Sequence, residues 1–293
     1  GGTSCVFFNK RIIKEMQLES PYDLVENNQW TIAKFREMAK AATKDLDGQS
    51  SWTENDQWGI SALDERHTFT GSILTASNAP FLIKDSKGVV KYNGAHPNVI
   101  NAFKLAQDIS FNDKTMLKGG SEITDMQFIN GKALFYPFYL WKIKPISEME
   151  DDFGIVPFPK LTPKDDYRGN MEWNRSVFAV PTQLPKEDLT QVGAVLDAIA
   201  YHSQGRITSE MDEYRNRYFR DDESAKMLEL VEKSATLEYS QFLASSSNPA
   251  LYEATYVVQY ALMDNIANDP YKFFDEVKNK GKTAIQSFMD SIQ

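Results

Sequence analysis

The stretch DMQFINGKALFYPFYLW, residues 125–141, decides the fold. Residues 125–129 read as the end of an amphipathic helix. Asn130-Gly131-Lys132 is a helix stop: glycine supplies the left-handed residue that closes a helix, and lysine suits the negative C-terminal end of the helix dipole. Residues 133–136 are short and apolar, as a buried strand is. That strand runs into Pro137, Phe138, Tyr139 and Trp141. A strand ending in aromatics delivers them to a sheet edge, where open α/β sheets place their ligand crevices.

The flanking sequence alternates in the same way. Strands are expected at 5–8, 58–62, 153–157 and 175–180, and a hairpin over 81–91 turns at Ser86-Lys87-Gly88. Between them fall helices at 9–16, at 32–44 with Thr31 as N-cap, at 68–76, at 98–111 and at 122–129. Val99, Phe103, Ala106 and Ile109 share one face of the 98–111 helix. Residues 20–30, 45–56, 161–170 and the Ser-rich 239–249 read as loops. From 186 to 220 the pattern is helical. Another helix at 222–232 is capped by Asp221 or Asp222, and two long helices, 250–266 and 270–292, finish the chain. Alternating strands and helices imply an α/β sandwich through residue 180. The block 182–229 carries few strand signals and reads as part of a different lobe.

Composition narrows the function classes. The chain has 293 residues, of which 42% are hydrophobic and 25% charged, within the range of one large or two smaller globular domains. Its net charge of -9 disfavours nucleic acid, whose phosphates need a basic surface. A single cysteine, Cys5, excludes an internal disulfide, and the three histidines (His67, His96, His202) stand in no recognisable relation to it for nucleophilic chemistry. No apolar run approaches the roughly eighteen residues that a membrane helix needs. The abrupt opening, Gly1-Gly2 followed by a strand, suggests a piece of a longer chain.

Taken in order, these pieces resemble the second lobe of the family 1 extracellular solute-binding proteins, the sugar-binding components of bacterial ABC importers that include the maltose-binding type. Phe8-Asn9-Lys10 resembles the opening of that lobe. The Asp45-Leu46-Asp47-Gly48 loop followed by Trp58-Gly59-Ile60 is similar to the family's "DG…yGi" pattern. Phe128 with Asn130-Gly131-Lys132-Ala133-Leu134 is similar to "F-x-x-G-x-A-M", Leu134 standing where Met is commoner. Ile155-Val156-Pro157-Phe158-Pro159 resembles "g-v-x-P-f-P", and Phe178-Ala179-Val180-Pro181 the strand that crosses back to the first lobe. The likeness implies a mixed α/β, periplasmic-binding-protein-like (type II) lobe with a mixed sheet flanked by helices. It divides the chain into a second lobe, 1–178 with 230–293, and a helical part of the first lobe, 179–229. Family members carry roughly a hundred further residues before Phe8-Asn9-Lys10, which build most of the first lobe. Half of the ligand shell would then lie outside this chain, and weak or no sugar binding by the chain alone is expected.

The residues suggest how a sugar would be held. Sugars present flat C–H faces to aromatic rings, and their hydroxyls need polar partners. Tyr139 and Trp141 follow the strand of the opening stretch. Trp173 precedes the presumed crossing strand, and Tyr252 and Tyr256 begin the first terminal helix. The polar candidates are Arg66, His67 and Thr68 in the strand-to-helix turn after 62, a position where α/β folds bind ligands, and Glu172 and Asn174 beside Trp173. With 12% aromatic residues, burial in the core competes with this reading at every position.

Other chemistries are weaker. With Gly48 at the turn position of an EF-hand-like loop, Asp45, Asp47 and Glu54 take ligand positions, but Thr43 stands where the first carboxylate belongs, so no metal or other cofactor is expected. Gly281-Lys282-Thr283 has the tail of a phosphate loop without its leading glycine. The adjacent acids Glu150-Asp151-Asp152 and Asp221-Asp222-Glu223 fit helix caps and solvated faces better than a glycosidase pair. The expected function is non-catalytic, extracytoplasmic binding of a sugar or oligosaccharide by a monomer, anchored as a lipoprotein or free in the periplasm. The ligand would sit between two lobes and be delivered to a membrane permease. A carbohydrate-active enzyme of the same architecture, and a module binding peptide or another small solute, are the alternatives.

Overall fold

The computed structural model describes residues 2–49, 51–63, 65–172, 180–181, 183–243 and 248–291. Five strands form the central sheet: β1 (Ser4–Asn9), β2 (Trp58–Leu63), β5 (Met116–Gly119), β6 (Ala133–Tyr139) and β7 (Phe153–Pro157). A hairpin, β3 (Leu82–Lys84) and β4 (Val90–Tyr92), and a short parallel pair, β8 (Gly169–Asn170) with β9 (Ala235–Thr236), complete the strands among the described residues. The sheet order is β5-β2-β6-β1-β7. β2 runs parallel to both β5 and β6, whereas β1 is antiparallel to β6 and β7, so the sheet is mixed as expected.

β1, β6 and β7 are buried along their whole length, which is why they read as continuous apolar runs: helices cover both faces. The helix stop behaves as its sequence demands. The helix Ser121–Ile129 ends at Asn130, and Gly131 takes φ +70°. The strand after it is longer than 133–136. It pairs with β1 from Phe135↔Phe8 to Tyr139↔Ser4, so Phe138 and Tyr139 lie inside the ladder rather than beyond it. Pro137 sits past the registered β2 pairs, which end at Ile60↔Phe135, so its missing N–H takes nothing from that neighbour.

Helix Ile32–Ala42 packs on β2 through a close backbone approach. A Cβ at Gly59 would stand 2.1 Å from the Ala39 carbonyl oxygen, so only glycine fits there. Thr31 caps this helix by accepting a hydrogen bond from the Lys34 amide. The segment read as a loop over 20–30 contains a helix, Pro21–Glu26, started by a Ser20 cap with proline at its first turn. A second, smaller cluster joins the β3–β4 hairpin to the C-terminal helices through Leu82, Tyr92, Leu251, Ala254 and Ile285. The Tyr92 hydroxyl donates to the Ala254 carbonyl at 2.6 Å.

Helix Lys186–Glu213 is exposed along most of its length and presents Leu189, Val195, Ile199 and Tyr201 to solvent. The strand expected at 175–180, with Phe178, falls outside the described residues except Val180. Among the described residues no helix is long and apolar enough to cross a membrane.

Candidate functional site

The largest convergence of the expected residues is a row of rings built by two segments distant in sequence. β2 leads into the turn Glu65–Phe69, and the C-terminal helix pair supplies the turn Glu253–Val257. Both are wide π-helical turns, a geometry frequent at functional sites. Spacing of four along the second segment puts Tyr252, Tyr256 and Tyr260 on one face. Tyr252 stacks on Tyr256 at 5.7 Å between centroids, Tyr256 meets His67 at 5.3 Å, and His67 stacks on Tyr260 at 6.2 Å. The Arg66 guanidinium lies 5.5 Å from the Tyr260 ring and pairs with Asp264 at 3.1 Å. Gln259 fastens the two segments by donating to the Arg66 and His67 carbonyls at 2.8 and 3.3 Å. Thr68 is buried, its carbonyl accepting from the Ser72 hydroxyl.

His67 and Tyr256 form one wall of a cavity of about 320 Å³. Leu74, Ala79, Phe81 and Leu82 give it apolar surface, and Asn170, Glu238, Ser240 and Gln259 give it polar atoms. Asn170 reaches back to the opening stretch: its Nδ2 donates to the Tyr139 hydroxyl at 3.4 Å. Glu238 accepts from the backbone amides of Leu82 at 3.3 Å and Ser240 at 2.9 Å, and from the Ser240 hydroxyl. Burial nevertheless pushes the Glu238 carboxyl up to about 7, against these bonds. Burial also raises the Tyr256 hydroxyl far above its ordinary value; the Glu238 charge adds to the rise and a hydrogen bond with Ser240 opposes it.

A second group lies at the end of β6. The Trp141 indole N–H donates to Glu172 at 3.1 Å, and Trp141 is 38% exposed. Phe138 bridges the two groups, edge-on to Tyr139 at 5.2 Å and to Trp141 at 5.5 Å. Lys142 is almost wholly buried beside these rings, held by Asp125 at 2.5 Å, and Asp125 also accepts from the Tyr136 hydroxyl.

The structure thus gathers Arg66, His67, Tyr252 and Tyr256, links Tyr139 to them through Asn170, and sets Trp141 with Glu172 nearby. Trp173 and Asn174 lie outside the described residues, as does Asp64 in the turn before Arg66. Glu238, Gln259 and Asn170 escape the sequence reading. They come from three separate segments, and nothing local marks them as neighbours.

The acidic loop is also rearranged. The carboxylates that gather are Asp45, Asp47 and Asp56, with oxygens within 4.8 Å of one another; Glu54 is not among them. The EF-hand spacing puts Glu54 at the last ligand position, but the chain instead buries Asp56, which accepts from the Leu46 and Thr53 amides. Those bonds, that from Thr53 foremost, hold Asp56 below its ordinary pKa. Asp45 and Asp47 accept from the amides of Gly48 and Gln49, so all three acids staple the loop.

No protein-family profile matches this sequence, and no curated protein matches it. Solved structures do. UspC of M. tuberculosis superposes with a TM-score of 0.63 at 14% identity, over 97% of this chain and 73% of that one. The maltose/maltodextrin-binding domain MalE of Bdellovibrio bacteriovorus, bound to maltotriose, gives 0.63 at 12% identity over 98% and 71%. The ABC substrate-binding protein Lmo0181 of Listeria monocytogenes, in complex with cycloalternan, gives 0.59 at 13% over 98% and 69%. The chain therefore shares the mixed α/β fold of these solved structures, and it spans about 70% of their length.

Proposed function

We propose that the protein binds a saccharide without chemically altering it, outside the cytoplasm, for delivery to the permease of an ABC importer. The observation that carries this reading is the cavity walled by His67 and Tyr256 within the stacked row Tyr252–Tyr256–His67–Tyr260. Rings of this kind cover the C–H faces of a sugar, while Asn170, Ser240 and Gln259 offer polar atoms to hydroxyls. The likeness to receptors bound to maltotriose and cycloalternan supports a carbohydrate as the ligand. Tyr139, Trp141 and Glu172 extend the surface, with Trp173 and Asn174 as further contributors. Segment 179–229 is assigned to the opposing lobe in this reading; helix Lys186–Glu213 exposes Leu189, Val195, Ile199 and Tyr201 as such a lobe contact would need, whereas Met211, Tyr214, Phe219, Met227 and Leu228 pack into the core of the sheet.

Calorimetric titration with neutral and charged mono- to tetrasaccharides, carried into the millimolar range, tests the proposal. Saturable binding of at least one saccharide is expected. Turnover of any glycoside by the purified chain would instead favour a carbohydrate-active enzyme.

A further inference from the structure

The cavity is lined by two cations that have no ion-pair partner among the described residues. Arg168, half-buried, precedes β8, and Lys84, exposed, ends β3; both line the cavity. Neither forms an ion pair or a side-chain hydrogen bond among the described residues. Asp85, the acid next to Lys84, is engaged elsewhere: it pairs with Lys91 at 2.8 Å and accepts from the amides of Lys87 and Val89. Two uncommitted cations at one cavity are unexpected in a chain of net charge -9, and local charge rather than net charge governs what a concave site attracts.

Glu238, the acid among the described lining residues, does not cancel them. Glu238 turns its carboxylate to the amides of Leu82 and Ser240 and to the Ser240 hydroxyl. Its pKa, raised to about 7 by burial, leaves a large fraction uncharged near neutral pH. The amides of Gln259 and Asn170 are committed to the His67 carbonyl and the Tyr139 hydroxyl. The cavity thus combines aromatic surface on one wall with positive charge from the β3 and β8 ends.

We infer that the cavity takes an anionic saccharide, its ring against His67 and Tyr256 and its acidic group between Arg168 and Lys84. This inference rests on the saccharide reading above and narrows the ligand to sugars bearing a carboxylate, sulfate or phosphate. Guanidinium groups bind all three through charge-assisted, often bidentate hydrogen bonds.

The test is a calorimetric titration of the whole chain with matched pairs: a uronic-acid disaccharide, a sulfated sugar and a sugar phosphate, each against its neutral counterpart. Inorganic sulfate alone serves as the non-sugar control. At least one anionic member should bind about tenfold or more tighter than its neutral partner, the scale of a hydrogen bond to a charged group. The strongest arm identifies the acidic group. The preference should shrink with added salt, collapse in Arg168→Gln and Lys84→Gln, and survive in part in Arg168→Lys. Equal affinities within every pair, or an anion preference unchanged in the Arg168→Gln/Lys84→Gln double variant, would overturn the inference while leaving a neutral-sugar receptor standing. Absence of binding by every saccharide, charged or neutral, would remove the saccharide reading and this inference with it. Binding of inorganic sulfate as tight as that of the best sugar would reduce the site to a simple anion site.

Discussion

His67 and Tyr256 lie with ring centroids 5.3 Å apart and planes inclined by 33°, although 189 positions separate them in sequence. Each comes from a π-helical turn, and Gln259 ties the two turns together. The pair forms the fixed centre of the aromatic row. Tyr252, 40% exposed, is its open end, so it can be removed without hollowing the core. Tyr252→Ala should change stability by less than about 1 kcal/mol, as surface substitutions do. It should weaken saccharide binding three- to tenfold, the worth of about one aromatic stacking contact. Paired denaturation and titration of the same preparation check both halves.

Trp141 and Glu172 predict a dependence on ligand length. They lie beyond β6, joined to the Tyr139 side through Phe138. Trp141→Ala should leave monosaccharide affinity nearly unchanged and weaken the binding of longer oligosaccharides severalfold. Titration with a length series reads this directly, and a uniform loss at every length would place Trp141 at the centre of the site.

Asp125 holds a buried charge. Lys142 has Asp125 at 2.5 Å as its ionic partner, with the Phe138 and Trp141 rings around it. Asp125→Ala strands that ammonium and leaves the Tyr136 hydroxyl without its acceptor. A loss of roughly 3–5 kcal/mol in urea denaturation is expected. Replacing both members of the pair by apolar residues, as in Asp125→Leu/Lys142→Met, should recover much of it.

Glu238 makes stability depend on pH. Its folded-state pKa of about 7 lies above the ordinary value of 4.5, so the folded chain holds the proton more tightly than the unfolded one. The resulting contribution is fully present below the unfolded value and is lost as pH rises through about 7. Thermal melts from pH 5 to 8 should show Tm falling by several degrees from this source. Glu238→Gln should flatten that slope while lowering Tm throughout, because the amide cannot accept from both the Leu82 and Ser240 amides.

Much of the fold was legible because its signals are local. Gly131 needs only its own left-handed backbone to stop a helix, and Thr31 needs only the amide three residues on to start one. Where a distant partner decides, local reading stops short. The strand from Ala133 continues through Pro137 because β1 pairs with it as far as Ser4↔Tyr139, which no property of residues 137–139 announces. Ser20-Pro21 did carry a helix-start signal, but the helix is only six residues long, too short for periodicity to register. In the acidic loop, Asp56 displaced Glu54 because backbone amides reach it within the turn, a choice that spacing templates do not encode. The candidate site divides in the same way. Its aromatics stand out as residue types at segment ends, whereas Glu238, Arg168 and Lys84 become neighbours only when β3, β8 and the segment after β9 meet at the cavity.

Hydrogen–deuterium exchange with and without saturating saccharide tests the central claim most directly, because it locates the ligand on the chain. Slowed exchange is expected in 65–76, 236–240 and 249–260, the segments that carry the aromatic row and the cavity wall. Protection absent from these segments, or confined to residues remote from them such as the 45–56 loop, would contradict it.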